Sequence, residues 1–495
     1  MELFEILLLL ILGLTGWIAA KRILLFRKLA PGPYGLPIVG SLFHLLKVDA
    51  IEEFQKYKKK YGKVFSISAG DFYVTVITDY RLIIDNLKKE EFQGRPDFEL
   101  WEARNAGKRN RGVLFCDGPV WHEQRRFVLR GLRDFGFGKE SMEGMLVHEL
   151  QDLQNTLRKD LGHPVNLSGV FNASVLNSLW YIVTGNRFEL SDPTLKTLIT
   201  LLIDNIRSSL ITTPALFFFW PVKYGLIGRE TFKNSLKFRE TIRKLLDTVI
   251  DEHLESYKEG EIRDFVDAYI EQIKTSSDGS SFHSEEGRKN LYSVLLDLFV
   301  AGAETTSTTL QWCVLYLSHN PHVQKKVQEE IDNVIGKSRP PNRGDKPRLI
   351  YLEAVLNEVH RMCSLVPFSV YHKAVQDSQI GGHFIPKNSV LFFSIYDSHY
   401  DEDYWGDPKT FRPERFLDES ETKLIRHEPL IPFSSGKRQC LGETLARDTL
   451  FLFFTGLLQT FTFEIDPECA NNGLRGSPSF VSSPKPFKVI IKERK

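Results

Sequence analysis

No Ser/Gly/Pro-rich linker divides the chain after its first forty residues, and that continuity constrains the fold more than any other feature. At 495 residues the chain exceeds the roughly 250 to 300 residues at which single cores usually split, so length alone favours two or three domains. Continuity argues instead for one core, which a chain of this length can build when a large bound group serves as part of it. Past residue 50 the dominant pattern is helical periodicity, in segments such as Ser235 to Tyr257, Asn290 to Ser318, His322 to Ile335 and Tyr351 to Met362. Val64 to Ser68, Tyr73 to Thr78, Ser389 to Phe393 and Phe487 to Ile491 cluster β-branched and aromatic residues and read as strands. The expected fold is mainly α with a small β-sheet region. Ser276 to Glu286 reads as an exposed loop, and no internal repeat is visible.

Leu3 to Ala20 is apolar except for Glu5 and Thr15, and Lys21, Arg22, Arg27 and Lys28 follow. A cleavable secretory signal places its positive charge before the apolar run, whereas here the charge comes after it. The expected arrangement is an N-terminal transmembrane helix, residues 1–22, with the rest of the chain on the cytosolic side by the positive-inside rule. A span of eighteen residues is short, which suits the thin endoplasmic reticulum membrane. Residues 23–40 form a basic, Pro/Gly-rich hinge containing Pro31, Pro33 and Pro37, where fixed φ and missing amide donors favour a stiff extended lead-in. Residues 41–495 form the remaining, main domain. The aromatic run Leu216 to Pro221 is too short to span a bilayer and either packs in the core or dips into the membrane face.

A net charge of +1 gives no drive toward nucleic acid. Five scattered cysteines, Cys116, Cys313, Cys363, Cys440 and Cys469, form neither a disulfide framework nor a zinc pattern, so the folded part belongs in a reducing compartment. The sequons at Asn166 and Asn172 are expected to be unused.

Cys440 follows Phe433 and a Ser-Ser-Gly-Lys-Arg turn and precedes Leu441-Gly442-Glu443, where a helical pattern begins. Helix N-terminal amides, Lys437 and Arg438 there favour the thiolate, the form that binds metal. A lone cysteine near a helix start is more often a small buried residue. The spacing Phe433, Gly436, Arg438, Cys440, Gly442 resembles the haem-binding signature of the cytochrome P450 family. The resemblance implies that fold, with haem b held by the Cys440 thiolate, which pushes electron density into the iron. It further implies that Gly436 lets the loop pass close to the haem, Phe433 shields the sulfur, and Arg438 pairs with a propionate.

Ala301-Gly302-Ala303-Glu304-Thr305-Thr306 resembles the family's oxygen-activating helix, in which small residues leave room for dioxygen and an acid–alcohol pair, here Glu304 and Thr305, delivers protons. Read without the family, it is a buried helix with satisfied hydroxyls. Glu358 and Arg361 resemble the family's Glu-x-x-Arg, joined by Arg415 in a structural network. Trp121 and Arg125, four apart on one helical face, together with Arg95 and His372, match positions that bind propionates. Tyr371-His372 replaces the more usual Pro-His.

The resemblance covers nearly the whole chain and is nearest to a microsomal subgroup of vertebrate drug and steroid oxidases and insect hormone-metabolising members. It implies insertion of one oxygen atom of O2 into a small apolar substrate, with NADPH electrons supplied by NADPH-cytochrome P450 reductase, and cytochrome b5 as a further partner. Arg126, Arg130, Arg133 and Lys437 could attract an acidic reductase surface or form a solvated helix face. The substrate pocket is expected around 97–112, 205–212, 299–305, 366–370 and 477–480. Two rivals stand beside this reading: an isomerase or dehydratase of the same fold, and a non-enzymatic haem-binding membrane protein.

Overall fold

In the computed structural model, described here for residues 3–36, 40–41, 49–70, 72–136, 140–190, 192–207, 229–477 and 479–494, helices dominate. The helices of eight or more residues run in the order α1 (Leu3–Phe26), α2 (Ala50–Tyr61), α3 (Tyr80–Leu87), α4 (Gly118–Phe135), α5 (Glu140–Leu157), α6 (Val170–Thr184), α7 (Pro193–Arg207), α8 (Arg229–Ser256), α9 (Phe265–Thr275), α10 (Ser284–His319), α11 (Pro321–Val334), α12 (Ile350–Cys363) and α13 (Glu443–Thr460).

The long helix α10 is buried on all sides over most of its length and runs through the core, so its few polar groups, among them Asp297 and Glu304, meet protein partners rather than water. Gly302 permits its tight crossing with α6, because a Cβ there would sit 2.3 Å from Leu179 Cδ2. The loop before it is not simply exposed. Glu123 of α4 accepts hydrogen bonds from Ser280 Oγ and Ser281 N, Ser281 and Phe282 are buried, and α10 already begins at Ser284.

Three small sheets flank the helices. The first pairs β1 (Val64–Ala69) with β2 (Phe72–Ile77) in an antiparallel hairpin, adds β7 (Val390–Phe393) in parallel to β2, and ends with β4 (His372–Lys373) antiparallel to β7. The second has the order β3 (Pro164–Val165), β9 (Val489–Glu493), β8 (Phe461–Ile465), and the third is the hairpin of β5 (Ser378–Ile380) and β6 (His383–Ile385). The sequence-predicted strands fall on β1, β2, β7 and β9 within a residue or two.

The lead-in after α1 lies against the first sheet rather than free. Pro31 O accepts from Ser66 N, and a Cβ at Gly32 would collide with Ser66 O. The apolar side chains of α1 from Phe4 to Leu24 are largely exposed. Among the described residues no helix is long and apolar enough to cross a membrane; the side chains of Thr15, Ile18, Ala19 and Arg22 fall outside them. The aromatic run 216–221 also lies outside the described residues, as do 208–212 of the expected pocket.

Beneath the C-terminal segment that carries Cys440 lies a buried ion network. Arg361 donates to both Glu358 oxygens at 2.7 and 2.8 Å, Arg415 Nε reaches Glu358 Oε1 at 3.1 Å, and Arg361 also holds the carbonyls of His399 and Pro408. Both members of the central pair are fully buried, so removing one would strand a charge in the interior at a cost of about 3–5 kcal/mol. His399 extends the network. Its Nδ1 meets Ser364 Oγ at 2.9 Å, and its Nε2 accepts from Ile431 N at 3.1 Å.

Burial, reinforced by Arg361, holds His399 down at about 3, and burial beside Arg447 does the same to His360. Both values lie below the ordinary imidazole value of about 6.5, so the unfolded chain takes up the proton first. The associated stability is fully present above about pH 6.5 and is lost as pH falls toward 3. We expect the denaturation midpoint of the wild type to fall between pH 7 and pH 4, and His399→Gln to blunt that fall. Parallel pH profiles for the two proteins would remove His399 from this account.

Candidate active site

Cys440 sits three residues before the first residue of α13, and the backbone that presents it is tightly specified. Its amide donates to Phe433 O at 3.0 Å, closing the turn through Gly436. Gly436 adopts φ +73°, and a Cβ there would lie 2.2 Å from Leu87 O at the end of α3. Its glycine therefore answers to α3, not to the close passage of a cofactor. Phe433 is clamped between Arg447, whose guanidinium is 4.7 Å from the ring centre, and His360, whose ring is 5.4 Å away.

The Cys440 thiol is enclosed by the protein yet open to an internal cavity of about 340 Å³, within the usual range for small-molecule sites. Burial raises its pKa, opposed by the Gly442 N–H, Arg125 and Arg447. The polarisation expected of Lys437 and Arg438 is not what the structure provides: Lys437 pairs with Glu90, and Arg438 donates to Gln93 O at 3.0 and 2.8 Å. A bound cation would reverse the effect of burial, as metals do for coordinating thiols.

Of the sequence-predicted site residues, Arg95, Trp121, Arg125, Glu304, Thr305, His372, Phe433, Arg438, Cys440 and Gly442 all border this one cavity, and Gly436 lies behind it. A Cβ at Gly442 would meet nothing within 4 Å. One wall concentrates positive charge. Arg438 stacks over Trp121 at 3.7 Å, Arg125 lies 5.8 Å from the same ring and bonds Gln439 O, and Arg95 donates to the carbonyls of Leu114, Val370 and Tyr371.

Burial pulls Arg95 down to about 9 and, with help from Arg95, Arg438 to about 8. It holds His372 neutral, with Nδ1–H donating to Phe92 O at 2.6 Å. Among the described residues, two buried donors here, Trp121 Nε1 and Arg438 Nη1, have no partner. Crowded cations and orphaned N–H groups facing a cavity call for an anionic ligand. A flat apolar macrocycle carrying two carboxylates, with a metal at the thiol, fits that demand. Tyr371, where proline is more usual, stacks on Phe392 at 4.6 Å while its carbonyl receives Arg95.

Across the cavity, Thr305 donates its hydroxyl to Ala301 O at 2.8 Å, and Ala301 is open to the cavity. Glu304 is buried, with Oε2 accepting from Asn172 Nδ2 at 2.7 Å and Oε1 from Thr308 Oγ1 at 3.1 Å. Sequence reasoning missed these two partners, because Asn172 stands on α6 and only the fold brings it near. The buried amide of Asn172 is also closed to glycosylation. Ala301 and Gly302 both line the cavity, and a Cβ at Gly302 is further excluded by Leu179. All five predicted pocket segments contribute to the lining. Residues 113–115 and Ser235, Phe238 and Arg239 of α8 add walls that no local motif announced.

The cytochrome P450 family profile matches residues 30–491. The chain belongs to the cytochrome P450 family. Among its curated relatives, human cytochrome P450 2J2 is 36% identical over 463 residues, 92% of this chain and 90% of the relative. Farnesoate epoxidase of Bombyx mori is 34% identical, covering 94% of each chain, and rabbit (Oryctolagus cuniculus) cytochrome P450 2B4 is 35% identical, covering 91% and 92%. This P450 is accordingly a haem-dependent monooxygenase with a thiolate-ligated iron, O2 as co-substrate and electrons derived from NADPH. If Cys440 supplies the thiolate, Cys440→Ala should abolish the thiolate-type absorption band of the reduced, carbon-monoxide-bound protein. A mutant retaining that band would exclude Cys440.

Proposed function

We propose that this P450 is a microsomal monooxygenase of apolar lipid-like or xenobiotic molecules, with Cys440 as iron ligand and Glu304 and Thr305 as the proton-handling pair. The observation that carries this reading is the convergence of Cys440, the cationic wall and the Glu304–Thr305 turn on a single enclosed cavity. Arg95, Arg125, Arg438, Trp121 and His372 would hold the propionates. An anion beside His372 would raise its pKa and turn Nε2 into a donor. When bound, the haem supplies oxygen activation. The chain's own residues bind and orient substrate, exclude water, and hold a proton near Thr305. Glu304 is kept in reach of the turn by Asn172 and Thr308 rather than by solvent. The relatives' names include a farnesoate epoxidase and members of the 2J and 2B groups, so both terpenoid-hormone and xenobiotic roles accord with the sequence neighbourhood.

Arg126, Arg130 and Arg133 are exposed on α4 at helical spacing and form the face we assign to docking of NADPH-cytochrome P450 reductase, with cytochrome b5 as a second partner. Lys437 is drawn toward Glu90 and contributes less. Glu304→Gln should lower reductase-supported turnover by about a hundredfold, the lower end for loss of general acid–base catalysis, while leaving substrate binding intact. Unchanged turnover would remove Glu304 from proton handling.

The membrane anchor belongs to the same proposal. At 1.5 Å per residue the eighteen-residue apolar run Leu3 to Ala20 extends about 27 Å, close to a thin hydrocarbon core of about 27–30 Å. Lys21, Arg27 and Lys28 after the apolar run support a cytosolic orientation of the remaining chain at the endoplasmic reticulum membrane. Deleting residues 3–26 should move the protein from the carbonate-resistant membrane fraction to one that salt or carbonate releases. Retention in the resistant fraction would show that another segment anchors it.

A further inference from the structure

The cavity has a polar corner that oxygen chemistry does not require. It is formed by Trp101 and Arg104 of the short helix Glu99–Arg104, Asn205 of α7, Ser235 and Arg239 of α8, and Asp297 of α10. Ser235 and Arg239 are four residues apart and so share one face of α8. Trp101 stacks on Phe115 with ring centres 3.7 Å apart, and the Arg104 guanidinium lies 5.2 Å from the Phe115 ring.

Asp297 is already committed. Its Oδ1 accepts from Arg104 Nη1 at 2.5 Å and its Oδ2 from the amides of Val113 and Leu114 at 2.8 and 2.9 Å. Arg239 has no such counter-ion: among the described residues it makes no ion pair. Among the described residues, three buried donors that line this corner, Trp101 Nε1, Arg104 Nη2 and Arg239 Nε, lack an acceptor. Arg104 and Arg239 both line the cavity, and both act on the phenol of Tyr292, as do Arg243 and Asp247. Two cations against one carboxylate leave the corner with a positive charge facing an otherwise mostly apolar chamber.

We propose that this corner is a carboxylate subsite, and that the substrate is an amphipathic acid whose head is held by Arg104 and Arg239 while its apolar body lies along α10 toward Thr305. The proposal rests on the monooxygenase reading above and names the substrate class for it. A neutral apolar guest would leave the three donors buried and unpaired, which is the arrangement by which a polar site rejects a ligand lacking the matching group. A planar carboxylate accepts from guanidinium and indole N–H groups together. Asp297 and Thr305 are eight residues apart on one helix, about 12 Å. That separation sets the reach between acid head and oxidised carbon at a medium-length aliphatic chain.

The test uses the full-length holoenzyme and two probes that differ only at the head, dodecanoate and methyl dodecanoate. Their dissociation constants would be read by calorimetry and by the ligand-induced shift of the haem band. Dodecanoate should bind about tenfold or more tightly than its ester, the ordinary worth of a charged hydrogen bond. Arg239→Met should erase that preference by weakening the acid alone, and Arg239→Lys should keep part of it. Arg239 has no ion pair to lose among the described residues, so the variant should fold, and the acid-to-ester ratio cancels any difference in membrane partitioning. Ester binding equal to or tighter than acid in the wild type, or an unchanged ratio in Arg239→Met, would overturn the subsite. Turnover with NADPH and reductase reads the other claim. An ester oxidised without acid preference leaves the monooxygenase standing and the subsite refuted. Acid preference with neither probe oxidised supports the subsite and counts against the reaction.

Discussion

The geometry of this protein depends on how firmly the loop before α13 is held from behind. A thiolate that binds iron must face a cavity and still be fixed in direction, and an open turn alone cannot supply that. Here the Cys440 amide is tied to Phe433 O, Phe433 is wedged between Arg447 and His360, and Gly436 presses its backbone onto the end of α3. Behind these contacts His399 receives the Ile431 amide, and the Glu358–Arg361–Arg415 network anchors His399 in turn. Buried ion pairs contribute little net stability, but they are costly to break, and that asymmetry makes them effective at specifying one arrangement. The network touches no cavity atom. Its role in the chemistry is to leave the loop no alternative position.

The second constraint is electrostatic. Arg95, Arg125 and Arg438 crowd one wall of the cavity, each drawn down by burial, and the few carboxylates nearby, such as Asp117, are engaged by Arg109 and by the Arg95 amide. Such a wall is unfavourable when empty and would be favoured by an anionic group against it, which would couple ligand binding to folding. The same coupling accounts for a chain of 495 residues without an internal linker. The bound group completes a core that would otherwise enclose a void.

Much of the site was legible because its chemistry is written in short segments. The Phe433 to Gly442 spacing, the Glu304–Thr305 turn and Trp121 with Arg125 each lie within one turn or one loop, where sequence distance and spatial distance agree. Their physical reasons were less legible. Gly302 and Gly436 look like residues kept small for a ligand, yet their Cβ positions are taken by Leu179 and by the Leu87 carbonyl, contacts formed only when distant elements pack. Asn172 reads as a sequon and turns out to hold Glu304. Arg104, Arg239 and Asp297 carried no motif at all, since they stand on three separate elements that only the fold brings to the border of one cavity.

Helix α10 links these features as a ruler. Its central glycine fixes its distance from α6, which brings Asn172 to Glu304 and leaves Ala301 facing the cavity one turn before Thr305. Two turns earlier the same helix offers Asp297, which fixes Arg104 and the 113–114 backbone at the far end of the chamber. Because one rigid element carries both ends, the reach from head group to oxidation point cannot drift as the loops above it move. Specificity for chain length then follows from helix rise, while specificity for the head group follows from the guanidiniums. The two can change separately: substitutions at 104 or 239 would alter which head is accepted without disturbing the thiolate loop, which is anchored through α12 and α3 on the other side of the molecule's core.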